Sequence, residues 1–192
     1  MSRGTISVCA EVCGGGLMSE HRLRGVLESG TPGVGEAAPD FELPAVIGGV
    51  RQTLRLSAYR GQMNVALAFY PFNWQDASAA QLISYQKQRP RVLETNSEIV
   101  AITVDSIMNT VSWERAIGPF DFPLCSDFWP HGEVSERYGV FRKGDQNSED
   151  SAGASERAVL VIDRIGNVVF RRSYPRDLAA PVDEILAVFE KI

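Results

Sequence analysis

Covalent chemistry in this chain would have to come from three cysteines, two histidines and a serine set among alanines. Cys9 and Cys13 lie four residues apart beside Gly14-Gly15-Gly16. They could pair, or hold a metal with outside help, but two ligands do not make a site, so no metal is expected. Cys125 follows Leu124, the usual setting of a small buried hydrophobe; the alternative is a free thiol with some redox role. Ser78 with His131 and an aspartate is the one hydrolase arrangement worth testing. A serine nucleophile at a strand-to-helix turn needs glycine two residues to either side, whereas Asp76-Ala77-Ser78-Ala79-Ala80 has Asp76 and Ala80 there, and alanine at both flanking places. His131, between Pro130 and Gly132, reads as a turn residue, and His21 falls in a glycine-rich stretch. No cofactor is expected.

These residues need a scaffold, and the hydrophobic pattern supplies one. Residues 64–70 (Asn64-Val65-Ala66-Leu67-Ala68-Phe69-Tyr70), 98–104 and 158–163 are near-continuous apolar runs of strand length, the pattern of strands buried on both faces. Phe41 and Leu43 alternate after Pro39, and 52–56 follows as a second short strand. Residues 77–89 favour helix until Pro90 interrupts or kinks it. Asp105 and Ser106 are placed to cap a helix over 107–117, which Gly118-Pro119 stops. A short helix is expected near 132–138, and the polar, acidic stretch 143–156 reads as an exposed loop. Residues 158–163 and 167–171 form a hairpin about Arg164-Ile165-Gly166. The last helix, over 181–192, carries Val182, Ile185, Leu186 and Phe189 on one face. Strands alternating with helices, then a hairpin and a helix, predict an α/β three-layer sandwich about a central mixed sheet.

Residues 1–35 hold eight of the 17 glycines and little periodic apolar pattern, so 1–34 reads as a weakly structured N-terminal extension and 35–192 as the folded domain. The net charge of −5 is spread along the chain without a basic stripe, so no nucleic-acid partner is expected. No apolar run approaches membrane-spanning length and no secretory signal opens the chain, which predicts a cytoplasmic protein with no membrane partner.

Several short motifs, in order, resemble the alkyl hydroperoxide reductase and thiol-specific antioxidant family, the peroxiredoxins. They are Gly35-Glu36-Ala37-Ala38-Pro39-Asp40-Phe41, Phe69-Tyr70-Pro71, Ile102-Thr103-Val104-Asp105-Ser106, Phe122-Pro123-Leu124, Tyr138-Gly139-Val140 and Arg157-Ala158-Val159-Leu160-Val161-Ile162-Asp163. The stretch from Phe122 to Gly132 is similar to the E type, a one-cysteine group. The resemblance implies a thioredoxin-like fold, a homodimer of the family kind, a hydroperoxide substrate and a thiol reductant. It also implies an active-site frame of proline, three residues, threonine, two residues, cysteine. Here that frame reads Pro71-Phe72-Asn73-Trp74-Gln75-Asp76-Ala77-Ser78. Proline is kept, Gln75 occupies the threonine position and Ser78 the peroxidatic position. Arg157 is the arginine that the resemblance implies holds peroxide and thiolate.

Peroxide reduction needs a soft anion, which a thiolate near a helix N-terminus and an arginine provides at neutral pH. A serine hydroxyl ionises far above a thiol and has no counterpart of the sulfenic acid intermediate. Three readings follow: an active peroxidase in which serine was engineered in or Cys125 substitutes; a non-catalytic homologue that binds a partner or forms mixed oligomers; and a hydrolase using Ser78. Gln75 favours natural loss of the cysteine over engineering, because removing a nucleophile gives no reason to change the threonine position as well. Phe72, Trp74 and Trp129 are expected near the same place, as cleft lining or as packing.

Overall fold

The computed structural model describes residues 30–144 and 153–192. Its centre is a seven-stranded sheet of order β2-β1-β5-β4-β3-β8-β9. The strands are β1 (Glu42–Ile47), β2 (Val50–Arg55), β3 (Asn64–Phe69), β4 (Ser97–Thr103), β5 (Leu124–Ser126), β8 (Arg157–Ile162) and β9 (Val168–Tyr174); β6 (Phe141–Arg142) and β7 (Ala154–Ser155) form a separate two-stranded ribbon. Strands β3, β4 and β5 run parallel, and the other neighbours pair antiparallel, so the sheet is mixed as expected.

The three apolar runs occupy the middle. Phe69 pairs with Ile102 on one side and with Ala158 on the other, and Val161 lies opposite Ala66, so β3 is flanked by β4 and β8. Every residue of β3, β4 and β8 is buried. Alternate side chains feed two cores. Ala66, Ala68, Ala101, Val159 and Val161 face a layer containing Leu82 and Tyr85 of α1 (Asp76–Glu94), Trp113 of α2 (Ile107–Ile117), and Ile185 and Phe189 of α4 (Val182–Phe189). Leu67, Phe69, Ile102, Leu160 and Cys125 face Phe41, Leu56 and the α3 (Glu133–Arg137) region with Val134 and Tyr138. These are the three expected layers. Parallel strands joined through α1 and α2 place both helices on one face, as right-handed crossovers require.

Local departures have local reasons. Helix α1 does not stop at Pro90 but continues to Glu94. Pro90 is exposed, so the carbonyl that loses its partner lies on the solvent side, while Val92 beyond it is anchored in the core. The loop expected over 143–156 is not wholly exposed. Ala154 and Ser155 are buried because β7 pairs with β6, and Ser155 Oγ lies 2.8 Å from Ser135 Oγ. The capping assignment divides: Ser106 Oγ accepts from the Asn109 N–H, whereas the Asp105 carboxylate is used elsewhere. The hairpin turn follows the expectation, with Asp163 Oδ1 accepting from the N–H groups of Ile165, Gly166 and Asn167.

Candidate functional site

The site lies where β3 ends and α1 begins. Tyr70 donates to Asn73 Oδ1 (3.0 Å), Asn73 Nδ2 donates to Thr110 Oγ1 (3.2 Å), and the Asn73 N–H reaches Asp105 Oδ2 (2.6 Å). Thr103 Oγ1 donates to the Pro71 carbonyl. The loop is thereby tied to the ends of β4 and α2, which fixes where α1 starts. Trp74 sits at φ 59°, a left-handed conformation costing a non-glycine residue about 1–2 kcal/mol, and its indole N–H donates to Asn109 Oδ1.

Gln75 is the N-cap of α1, in extended conformation, and its side chain makes no capping bond. Ser78 follows in the first turn, fully buried. Arg157, the first residue of β8, is 1% exposed, and its guanidinium extends under that turn. Nη2 donates to Ser78 Oγ at 3.2 Å and Nη1 to Gln81 Oε1 at 2.6 Å, while Nε and Nη2 donate to the Arg176 carbonyl at 3.2 and 3.0 Å. No carboxylate lies within ion-pair distance of Arg157 among the described residues. Burial pulls its pKa below the ordinary arginine value. With the first-turn N–H groups of α1 alongside, the surroundings of Ser78 Oγ are strongly positive.

Of the four residues singled out in sequence, Ser78 and Arg157 are in direct contact. Pro71 lines a cavity of about 520 Å³ that Arg157 also borders. Gln75 borders a neighbouring cavity with Asp76, Ala77 and Asp177. Two contributors were missed. Gln81, which also accepts from the Ala180 N–H, lies three residues after Ser78 and so on the same helix face, a spacing that could have found it. The Arg176 carbonyl is a backbone group with no sequence signal.

The other candidates fall away from this centre. Cys125 is fully buried in the core on the opposite face of the sheet from Leu82 and Tyr85 of α1, and burial pushes its thiol pKa far up. The reading of Cys125 as a substitute nucleophile near the site is therefore overturned by the alternation of side chains along β5. His131 lies edge-on to Phe128 and Phe141 with Nε2 near the Gly153 carbonyl, and Ser78 Oγ is bonded to Arg157 and not to His131. No group of three or more metal-ligating side chains occurs among the described residues. Cys9, Cys13 and His21 lie outside those residues. Phe72 lies under the Arg176 guanidinium at 5.5 Å; Trp74 and Trp129 are exposed, and no ring contact joins the three among the described residues.

Comparison with known proteins agrees with this architecture. Residues 34–171 match the AhpC/TSA family. The chain is 36% identical over 137 residues to alkyl hydroperoxide reductase E of Mycobacterium tuberculosis, a match covering 71% of this chain and 82% of that protein. Among solved structures it superposes on the reduced 2-Cys peroxiredoxin of Plasmodium vivax with a TM-score of 0.72 and 29% identity, covering 82% of this chain and 80% of that one. It shares its fold with Enterococcus faecalis AhpC at a TM-score of 0.73 and 20% identity, over 82% and 90% of the two chains. A mixed-sheet sandwich with β3, β4 and β8 at its centre, matched over this length, means that the chain belongs to the AhpC/TSA family, the peroxiredoxins.

Proposed function

We propose that this chain is a peroxiredoxin homologue that keeps the family's arginine-centred site but does not reduce hydroperoxides. In this reading Ser78 stands at the peroxidatic position, Gln75 at the threonine position, and Pro71 and Arg157 are the retained members. The observation that carries it is the hydrogen bond from Arg157 Nη2 to Ser78 Oγ in the first turn of α1. An arginine aimed at the side chain of residue 78 is the arrangement a thiolate would use, with a hydroxyl in its place.

Reduction of a hydroperoxide requires a thiolate to attack one peroxide oxygen. The O–O bond breaks, the sulfur becomes a sulfenic acid, and the alkoxide or hydroxide leaves with a proton; one reductant thiol then condenses with the sulfenic acid to a disulfide and releases water, and a second thiol cleaves that disulfide to restore the enzyme thiol. Serine supplies neither the anion at neutral pH nor the oxidisable atom. Access adds a second obstacle, since Ser78 is fully buried and Arg157 nearly so. Hydroperoxide and thiol reductant are thus partners of an active relative, whereas this chain acts as a binding or oligomer-forming homologue, a cytoplasmic homodimer in its simplest form.

The test restores the nucleophile and then the pocket. Ser78→Cys alone should give weak turnover with excess dithiol, because Gln75 misplaces the peroxide. Ser78→Cys with Gln75→Thr should exceed it by a factor of about ten or more, since orientation contributes powers of ten in favourable cases. Full family-like turnover from Ser78→Cys alone would show that the pocket was never degraded and would favour an engineered serine.

A further inference from the structure

We infer that Met108 is a methionine oxidation site, converted by hydrogen peroxide to the sulfoxide, and that Arg51 holds the oxygen so gained. The inference goes beyond the proposed loss of peroxidase chemistry and does not depend on residue 78, because the sulfur that reacts lies on another helix.

Access separates the sulfur atoms of the described residues. Cys125 is sealed in the core, Met63 is partly covered beside Tyr59 and Val65, and Met108 is 59% exposed. Susceptibility of a thioether follows exposure first. Met108 also has a particular neighbour. It lies in the first turn of α2, and its Sδ accepts a hydrogen bond from Arg51 Nη1 of the edge strand β2 at 3.4 Å. A thioether is a weak acceptor, and the Arg51 guanidinium makes no ion pair among the described residues, so nothing at ion-pair distance there competes for it. The backbone under the sulfur is fixed as well. Ser106 caps the turn through the Asn109 N–H, while the Asn109 side chain donates to Asp105 Oδ1 and accepts from the Trp74 indole. The fold thus holds Met108 opposite Arg51, and only the side chain is left to carry a change.

In the reaction, Sδ gives an electron pair to one oxygen of hydrogen peroxide. The O–O bond breaks as the S–O bond forms, and the second oxygen leaves as hydroxide, takes the proton from the transferred oxygen and departs as water. Sulfur is oxidised by two electrons and the peroxide is reduced by two. The lone pair of Sδ that does not face Arg51 is open to this attack. The product oxygen is a far stronger acceptor than sulfur, and rotation of the flexible methionine side chain brings it to the guanidinium. A charge-assisted bond then stands where a weak one stood, and it ties α2 to β2. The reaction is stoichiometric and uses no thiol, so it adds nothing to sustained turnover.

The test treats the full chain with hydrogen peroxide, digests it, and follows the gain of one oxygen at each methionine by mass spectrometry. Met108 should oxidise several-fold faster than Met63. Oxidised and untreated chains are then compared by thermal unfolding in the parent, in Arg51→Ala and in Met108→Leu. Oxidation elsewhere is common to all three, so the change in Tm on oxidation should be more favourable in the parent than in either variant by about 1–3 °C, the size of one exposed charge-assisted bond. Met63 oxidising as fast as Met108 would overturn the inference, and so would equal changes in Tm in all three chains. Peroxide turnover is a separate readout, so failure here is distinct from failure of the proposed function.

Discussion

The bond between Arg157 and Ser78 has a stability signature that can be worked out from its neighbours. Ser78→Ala removes one acceptor from the guanidinium, but Nη2 keeps the Arg176 carbonyl at 3.0 Å, so no donor atom is left wholly unpartnered. A hydrogen bond to a charged group contributes about 1.5–3 kcal/mol, and alanine's better helix propensity returns roughly 0.5 kcal/mol. The net loss should be about 1–2.5 kcal/mol, a fall in Tm of roughly 2–10 °C for a domain of this size. Arg157→Met removes all four of these contacts together with the burial cost of the charge, and Gln81 Oε1 keeps the Ala180 N–H. Once methionine occupies position 157, the Ser78 hydroxyl has nothing to accept from there, and Ser78→Ala should cost little. Urea unfolding of the parent, both single variants and the double variant gives a cycle whose coupling should be about 1–2 kcal/mol. Additivity within about 0.5 kcal/mol would refute direct contact between the two side chains.

Two further outcomes test the packing around α3, on the other face of the sheet. Burial raises the Asp127 pKa, against the hydrogen bonds from Ser135 and Val134 that lower it, and the rise prevails. The folded chain therefore holds that proton more tightly than the unfolded chain, and the associated stability is present below the unfolded pKa and lost as pH rises through the raised value. Thermal unfolding from about pH 3 to 6 should show the parent losing stability relative to Asp127→Asn as pH increases, and a flat difference would contradict the shift. Gly139 has φ +61°, and a Cβ there would come 2.5 Å from Thr31 Cγ2. Gly139→Ala should cost about 1–2 kcal/mol in urea unfolding, and part of the loss should be recovered by Thr31→Gly.

Much of the scaffold was legible because its strands are extreme in pattern. Runs such as Val65-Ala66-Leu67-Ala68-Phe69 have one stable setting, a strand covered on both faces, and β3, β4 and β8 are that. Pro90 misled because its cost depends on which side of the helix it faces, and the period of α1 is blurred near it. The ribbon of β6 and β7 was hidden because two-residue strands carry no periodic signal, and Ser155 is buried by a bond to Ser135 twenty residues away. At the site, residue types in a family-like frame pointed to Ser78 and Arg157, which are in contact. Chain order could not show that Cys125 faces the other core, since that depends on the register of β5 against β1 and β4.

Stopped-flow measurement of hydrogen peroxide consumption by the unmodified chain, with excess dithiol, tests the loss of peroxidase activity most directly. Ser78 lacks an oxidisable atom and Cys125 is sealed in the opposite core with its thiol protonated. The predicted trace is the same as that of a control without protein, across neutral pH and after Cys125→Ala. Sustained turnover by the unmodified chain would contradict the account, and its abolition by Cys125→Ala would show that the nucleophile had moved to the other face of the sheet.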